Sequence, residues 1–282
     1  VNPIEQIILA WEGLRRSLRH AGAGSLWVPW ILLASVQLAA LCVLIFFAHP
    51  AFSWFMAPLL ESAGGDALLR YPNLFRVLPG LYGRAALVIS ALVGAVLGGA
   101  AVWLFARRLQ GRPASSAEGL GRALRRAPAL VIANLPATAL VTLMLTGLES
   151  VLAAVDGPRL IEQAARYGGL AMAILLQAIF AYVSADVMLG GGGVGAAWRA
   201  LGERVASGYW AALVLSVTLF LPHLPSYWLG RLGGTVVQRG TPELMAALVG
   251  VEIALGAVTS WMMSGAVALV YLSMDAAAES PS

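Results

Sequence analysis

The sequence predicts an all-α integral membrane protein of about six transmembrane helices, in three repeats of an amphipathic interfacial helix plus a transmembrane hairpin. Three observations predict it. The chain is 60% hydrophobic and only 11% charged, less than half the roughly 25% charge of a soluble domain. It has too little polar surface to face water all round, so hydrocarbon must solvate much of its exterior. Apolar stretches recur that are long enough, or nearly so, for the ~20 residues that cross ~30 Å of hydrocarbon. A basic amphipathic motif precedes each pair of those stretches.

The motif first appears at 10–21 as AWEGLRRSLRHA. Ile4, Ile7, Ile8, Trp11, Leu14 and Leu18 recur at spacings of three and four and share one helical face; Glu5, Glu12, Arg15, Arg16 and Arg19 fall elsewhere. Such a helix is expected to lie in the interface, apolar face towards lipid and Arg towards phosphates. With Glu5, Glu12 and four basic side chains ahead of the first long apolar run, no cleavable signal peptide is expected. Span one follows at about 26–48. It holds the one cysteine, Cys42, which has no internal partner and is expected to be buried and inert. Segment 50–83, with Trp54, Phe55, Tyr71, Phe75 and Tyr82, is expected to form an aromatic interfacial element on the outer side. Span two, about 85–106, is free of charge, and its Gly94, Gly98 and Gly99 permit close helix approach.

The second copy, SAEGLGRALRRA at 116–127, matches the first at Glu118, Gly119, Leu120, Arg122, Leu124, Arg125 and Ala127. Glu12 with Arg16, and Glu118 with Arg122, are i,i+4 pairs of the favourable order. Span three, about 127–148, contains Pro128, Asn134 and Pro136; span four, about 168–189, contains Gln177 and has Asp186 near its end. The weaker third copy, AWRALGERVASG from Ala197, carries Arg199 and Arg204. It leads into span five, about 209–229, which Pro222 and Pro225 weaken, and span six, about 244–274. The whole chain, 1–282, is thus read as a single membrane domain with repeats at about 4–106, 116–189 and 194–274.

A hairpin returns the chain to its starting side, so all three motif copies share one face. Arg placement agrees with this. One side holds Arg15, Arg16, Arg19, Arg107, Arg108, Arg112, Arg122, Arg125, Arg126, Arg199 and Arg204; the other holds Arg70, Arg76, Arg84, Arg159, Arg166, Arg231 and Arg239. Both termini are therefore expected to be cytoplasmic, in a bacterial inner membrane. Every basic side chain is Arg and none is Lys; with the Ala, Gly, Leu and Val richness, this most simply reflects a GC-rich bacterial genome.

With the motifs AWEGLRRSLRHA, EGLGRALRRAP and AWRALGERVASG each entering an apolar hairpin, the chain resembles a broad set of bacterial six-span proteins. These are similar to the membrane domain attached to some glycerophosphodiester phosphodiesterases. The resemblance covers nearly the whole chain and implies the six-span fold. It transfers no catalytic residues, since the family has no agreed activity and the soluble phosphodiesterase domain is absent from this sequence. The P-x-[DE]-x-x-[KR] motif of mitochondrial carriers does not occur.

The residues expected to matter fall into two groups. Arg15, Arg16, Arg19, Arg122, Arg125, Arg126, Arg199 and Arg204 form the basic membrane-interface set. Asn134, Gln177, Asp186 and Glu252 are the intramembrane polar candidates. Glu252 stands out because an ionisable group inside a span is costly and is a functional candidate by default. Asp186 is expected at the cytoplasmic end of span four, where charge is cheap. Pro136 frees a backbone carbonyl near Asn134, a device transporters use at mid-depth. His20, His49 and His223 lie near span ends without metal-ligand spacing, and neither H-E-x-x-H nor G-x-S-x-G occurs. No enzyme, metal or cofactor is expected. The net charge of +4 follows from topology and implies no nucleic acid. The expected partners are the bilayer, including anionic lipids, and other membrane subunits or further copies. These features favour a non-catalytic scaffold or accessory subunit of a membrane assembly. The alternative is a transporter or permease subunit for a hydrophobic or lipid-like substrate, with a cavity lined by Asn134, Gln177 and Glu252.

Overall fold

The computed structural model describes residues 2–144 and 159–279, with the side chains of all of these but 63, 159–166, 226, 227, 230, 231 and 279. Among the described residues the chain is helical and has no strand. In chain order the α-helices are α1 Pro3–Arg19, α2 Gly24–Ile45, α3 Pro50–Gly64, α4 Asn73–Ile89, α5 Ala95–Leu109, α6 Ser116–Arg125, α7 Ala127–Thr142, α8 Arg159–Phe180, α9 Val183–Leu189, α10 Gly193–Phe220, α11 Leu224–Arg231, α12 Gly233–Arg239 and α13 Leu244–Glu279. A π-turn, Ser90–Gly94, joins α4 to α5 without a break.

Among the described residues, five helical segments are long and apolar enough to cross a membrane: Gly24–Ile45, Asn73–Leu109, Tyr167–Leu189, Gly193–His223 and Leu244–Ala278. Only 28% of the most apolar window of α2 is buried within the protein. The large apolar side chains of Ile31, Leu32, Val36 and Leu38 are exposed, as befits a helix solvated by lipid rather than water. The third expected span, 127–148, corresponds to α7, an apolar helix of 16 residues, and its residues 145–148 lie outside the described set.

Local chemistry explains the helix ends. Asn2 caps α1: its side chain accepts from the Ile4 amide, Glu5 reaches back to the Asn2 amide, and Pro3 occupies the first turn. Pro29, inside α2, has no amide to offer the carbonyl of Ser25. That freed carbonyl accepts the Ser116 hydroxyl at 3.1 Å. Two expectations are corrected. The third motif copy is no separate amphipathic helix: α10 runs unbroken from Gly193 to Phe220, because no proline or cap interrupts it. It ends before Pro222, which opens a 3-10 turn. The run read as span two, about 85–106, lies within the longer helical segment Asn73–Leu109, which takes Arg76 and Arg84 into its N-terminal half. Cys42 is exposed, not buried, since the face of α2 that carries it is turned outwards.

The chain forms two compact units. The first comprises 1–30, 91–219 and 260–282. Its centre is Trp261, stacked on Trp27 (ring centroids 4.4 Å apart) and edge-on to Phe105 at 5.5 Å. Small residues bring its helices together: a side-chain carbon on Gly13 would sit 2.9 Å from the Cα of Ala266, and one on Gly99 2.8 Å from the Leu130 methyls. Close backbone approach of this kind is how helices associate in lipid, where burying apolar surface brings no gain. The second unit comprises 31–90 and 220–259. Its core includes Leu41, Met56, Leu60, Leu74, Phe75, Leu78, Tyr82, Val237, Met245, Val249 and Ile253.

Candidate functional site

Charged and polar side chains gather at two places. In the first unit, Asp186 on α9 lies near the end of the apolar segment Tyr167–Leu189 and is buried against neighbouring helices. Its Oδ1 accepts from Arg204 Nε of α10 at 3.1 Å and from the Tyr271 hydroxyl of α13 at 3.0 Å. Arg204 also donates from Nη2 to the Tyr271 hydroxyl (3.0 Å) and pairs with Asp275 Oδ1 (2.8 Å). Its guanidinium carbon lies 4.3 Å from the centre of the Tyr271 ring. One arginine therefore ties three helices. Side-chain exposure falls from 42% at Asp275 to 17% at Arg204 and 7% at Asp186. The cluster thus has one wet end and one dry end.

In the second unit, Glu252 of α13 meets His223, from the 3-10 turn after α10. His223 Nδ1 is hydrogen-bonded to Glu252 Oε1, and Nε2 lies 3.0 Å from Thr259 Oγ1. The Thr259 hydroxyl also lies 2.9 Å from the Leu255 carbonyl of its own helix. The imidazole therefore bridges two side chains of α13, Glu252 through Nδ1 and Thr259 through Nε2. Glu252 Oε2 is buried and has no hydrogen-bond partner.

The remaining predicted residues do other things. Asn134 Nδ2 donates to the Leu130 carbonyl (2.8 Å) and lies 3.1 Å from Ser184 Oγ, joining α7 to α9. Gln177 is exposed on α8. The predicted basic residues divide by copy. Arg15, Arg16 and Arg19 are exposed, with Arg16 paired to Glu12. Arg122 lies over the Trp103 ring at 5.9 Å, Arg126 donates to the Val187 carbonyl, and Arg125 is exposed. Arg199 Nε bonds the Gly195 carbonyl of its own helix, whereas Arg204 is drawn into the ion-pair cluster. Sequence reasoning missed Tyr271, Asp275, His223 and Thr259. The one available signal was that each lies in, or beside the end of, an apolar run, where polar groups need partners. Among the described residues no three His, Cys, Asp or Glu side chains are grouped to hold a metal.

The fold and these clusters define a class: a chain helical among its described residues, whose long apolar helices suit a multi-pass membrane protein. No family model, curated protein or solved structure matches the chain.

Proposed function

We propose that this is a non-catalytic, multi-pass protein of the bacterial inner membrane that serves as a scaffold or accessory subunit of a larger membrane assembly. It has six spans in three repeats, the third span starting with α7, and both termini are cytoplasmic. The observation that carries the reading lies outside the spans. Helix α3 exposes Trp54 to 77%, with Leu59 nearby on the same helix also exposed. Large aromatic side chains are the usual anchors of protein interfaces. Tagged protein purified from native membranes in mild detergent should bring down a partner at fixed stoichiometry. Trp54→Ala should release that partner while leaving the chain folded. A chain that purifies alone from native membranes sinks the proposal.

A second reading, transport of a hydrophobic or lipid-like substrate, is favoured by one observation. Glu252 keeps an unpartnered carboxylate oxygen beside a histidine, within a helix long enough to span the membrane. Intramembrane acids of this kind mark substrate and ion paths. Reconstituted protein that moves substrate in liposomes, and loses this with Glu252→Ala, would support it; equal flux in wild type and variant would refute it.

A further inference from the structure

We propose that α1 carries a binding site for the phosphate headgroup of an anionic glycerophospholipid, built by Trp11, Arg15 and Arg19. This rests on the membrane placement proposed above.

The argument starts from the three faces of α1, which at about 100° per residue take roughly a third of its circumference each. Gln6, Ala10, Gly13, Leu14 and Ser17 form the buried face. It is fixed to the bundle: Gln6 Oε1 accepts from the Trp210 amide at 3.0 Å, and Gly13 lies against Ala266. Ile4, Ile7, Ile8, Trp11 and Leu18 form a second face and remain exposed. Glu5, Glu12, Arg15, Arg16 and Arg19 form the third. A helix with one side on the protein, one apolar and free, and one charged and free fits the boundary between hydrocarbon and headgroups. Only residues 20–23 separate α1 from the apolar helix α2, which holds it at that depth.

The groove between the free faces is made of two adjacent i,i+4 rows. One runs Ile8, Glu12, Arg16 and the other Trp11, Arg15, Arg19. The first row is internally neutral, since Arg16 Nε donates to Glu12 Oε1 at 3.0 Å. The second has no acid in it, and among the described residues no carboxylate pairs with Arg15 or Arg19. Its guanidinium groups are free to fork onto phosphate oxygens, while Trp11 sits at headgroup depth as interfacial indoles do. The other motif copies are differently employed: Arg122 and Arg126 of the second and Arg204 of the third are engaged inside the fold. Of the three copies, the first presents a row of two unpaired arginines beside an exposed tryptophan.

The test uses the full chain in a non-ionic detergent. It is titrated with phosphatidylglycerol, phosphatidylcholine or inorganic phosphate, and bound ligand is counted by native mass spectrometry. Wild type should hold one phosphatidylglycerol more tightly than phosphatidylcholine. Arg15→Gln with Arg19→Gln should weaken it on the order of thirty-fold. The matching Lys variant should keep most of the affinity, and Arg125→Gln on α6 should change nothing. Equal retention by wild type and the Gln variant overturns the proposal. So does an equal loss with Arg125→Gln, or displacement of the lipid by an equal concentration of inorganic phosphate. Failure of the underlying membrane placement would show differently, as a chain that stays monodisperse without detergent.

Discussion

Replacing Arg204 by alanine should destabilise the protein far more than replacing Asp275, although both belong to one cluster. The difference follows from exposure. Asp275, at 42% exposure, contributes one water-accessible ion pair to Arg204, and such pairs are worth about 0–1 kcal/mol. Asp186, at 7%, depends on Arg204 for its charge-assisted bond. Without Arg204 it keeps only the Tyr271 hydroxyl and becomes an uncompensated buried charge, at a cost of about 3–5 kcal/mol. Equilibrium unfolding in mixed detergent–SDS micelles, followed by far-ultraviolet circular dichroism, reads both values directly. Removing both buried charges, with Arg204→Met and Asp186→Leu together, should recover most of the loss, because well-packed apolar groups replace buried ion pairs at little cost. If Arg204→Ala falls within about 1 kcal/mol of Asp275→Ala, Asp186 is hydrated and the dry end assigned to this cluster is wrong.

Four further outcomes are expected. Gly13→Ala should cost about 1–3 kcal/mol, and more than Gly99→Ala, because the new carbon meets the Ala266 backbone in one case and the tip of Leu130 in the other; the reverse order in the same unfolding assay would count against the packing. Trp261→Ala should cost about 3–5 kcal/mol and abolish the exciton signal of the Trp27–Trp261 stack in circular dichroism. Tyr71 ionises above its ordinary value of 10.0, chiefly because its hydroxyl is hydrogen-bonded to Glu243, and also through desolvation and the Glu243 charge. Glu243→Ala should therefore move that transition to lower pH in an ultraviolet titration, and an unchanged curve would contradict the contact. Cys42, although on the protein surface, should resist a charged maleimide in native membranes and react once SDS is added, since hydrocarbon keeps the charged reagent out.

The sequence made the helices legible where apolar runs were long and bounded by caps or prolines. The apolar runs read at about 26–48 and 244–274 lie close to α2, Gly24–Ile45, and α13, Leu244–Glu279. The start of the membrane helix at Asn73 was not legible, because Arg76 and Arg84 interrupt its hydrophobic run without interrupting its backbone. Nor was the continuity of α10, whose amphipathic first half changes to an apolar second half with no change of conformation. Glu252 could be singled out as a lone acid among apolar residues, but its partner could not. His223 lies 29 residues away and Thr259 36 residues from His223, and no local period links positions on different helices. The partner of Asp186 was not legible for the same reason. The arginine that lets it be buried comes from another helix, and a sequence offers no measure of that.

The two clusters bear charge differently. In apolar surroundings an isolated charge costs several kcal/mol, so only combinations near neutrality survive burial. The dry end of the first cluster is one acid with one base, Asp186 and Arg204, while the surplus negative charge sits on the half-exposed Asp275. A guanidinium does not release its proton near pH 7, so this cluster serves as a tie between helices. The second cluster is wetter: the Glu252 side chain is 37% exposed and that of His223 17%. Yet Glu252 Oε2 is buried without a hydrogen-bond partner. The first cluster offers no acceptor left open in this way beside an imidazole, so any chemical task of this chain beyond holding a position is to be sought first at Glu252 and His223.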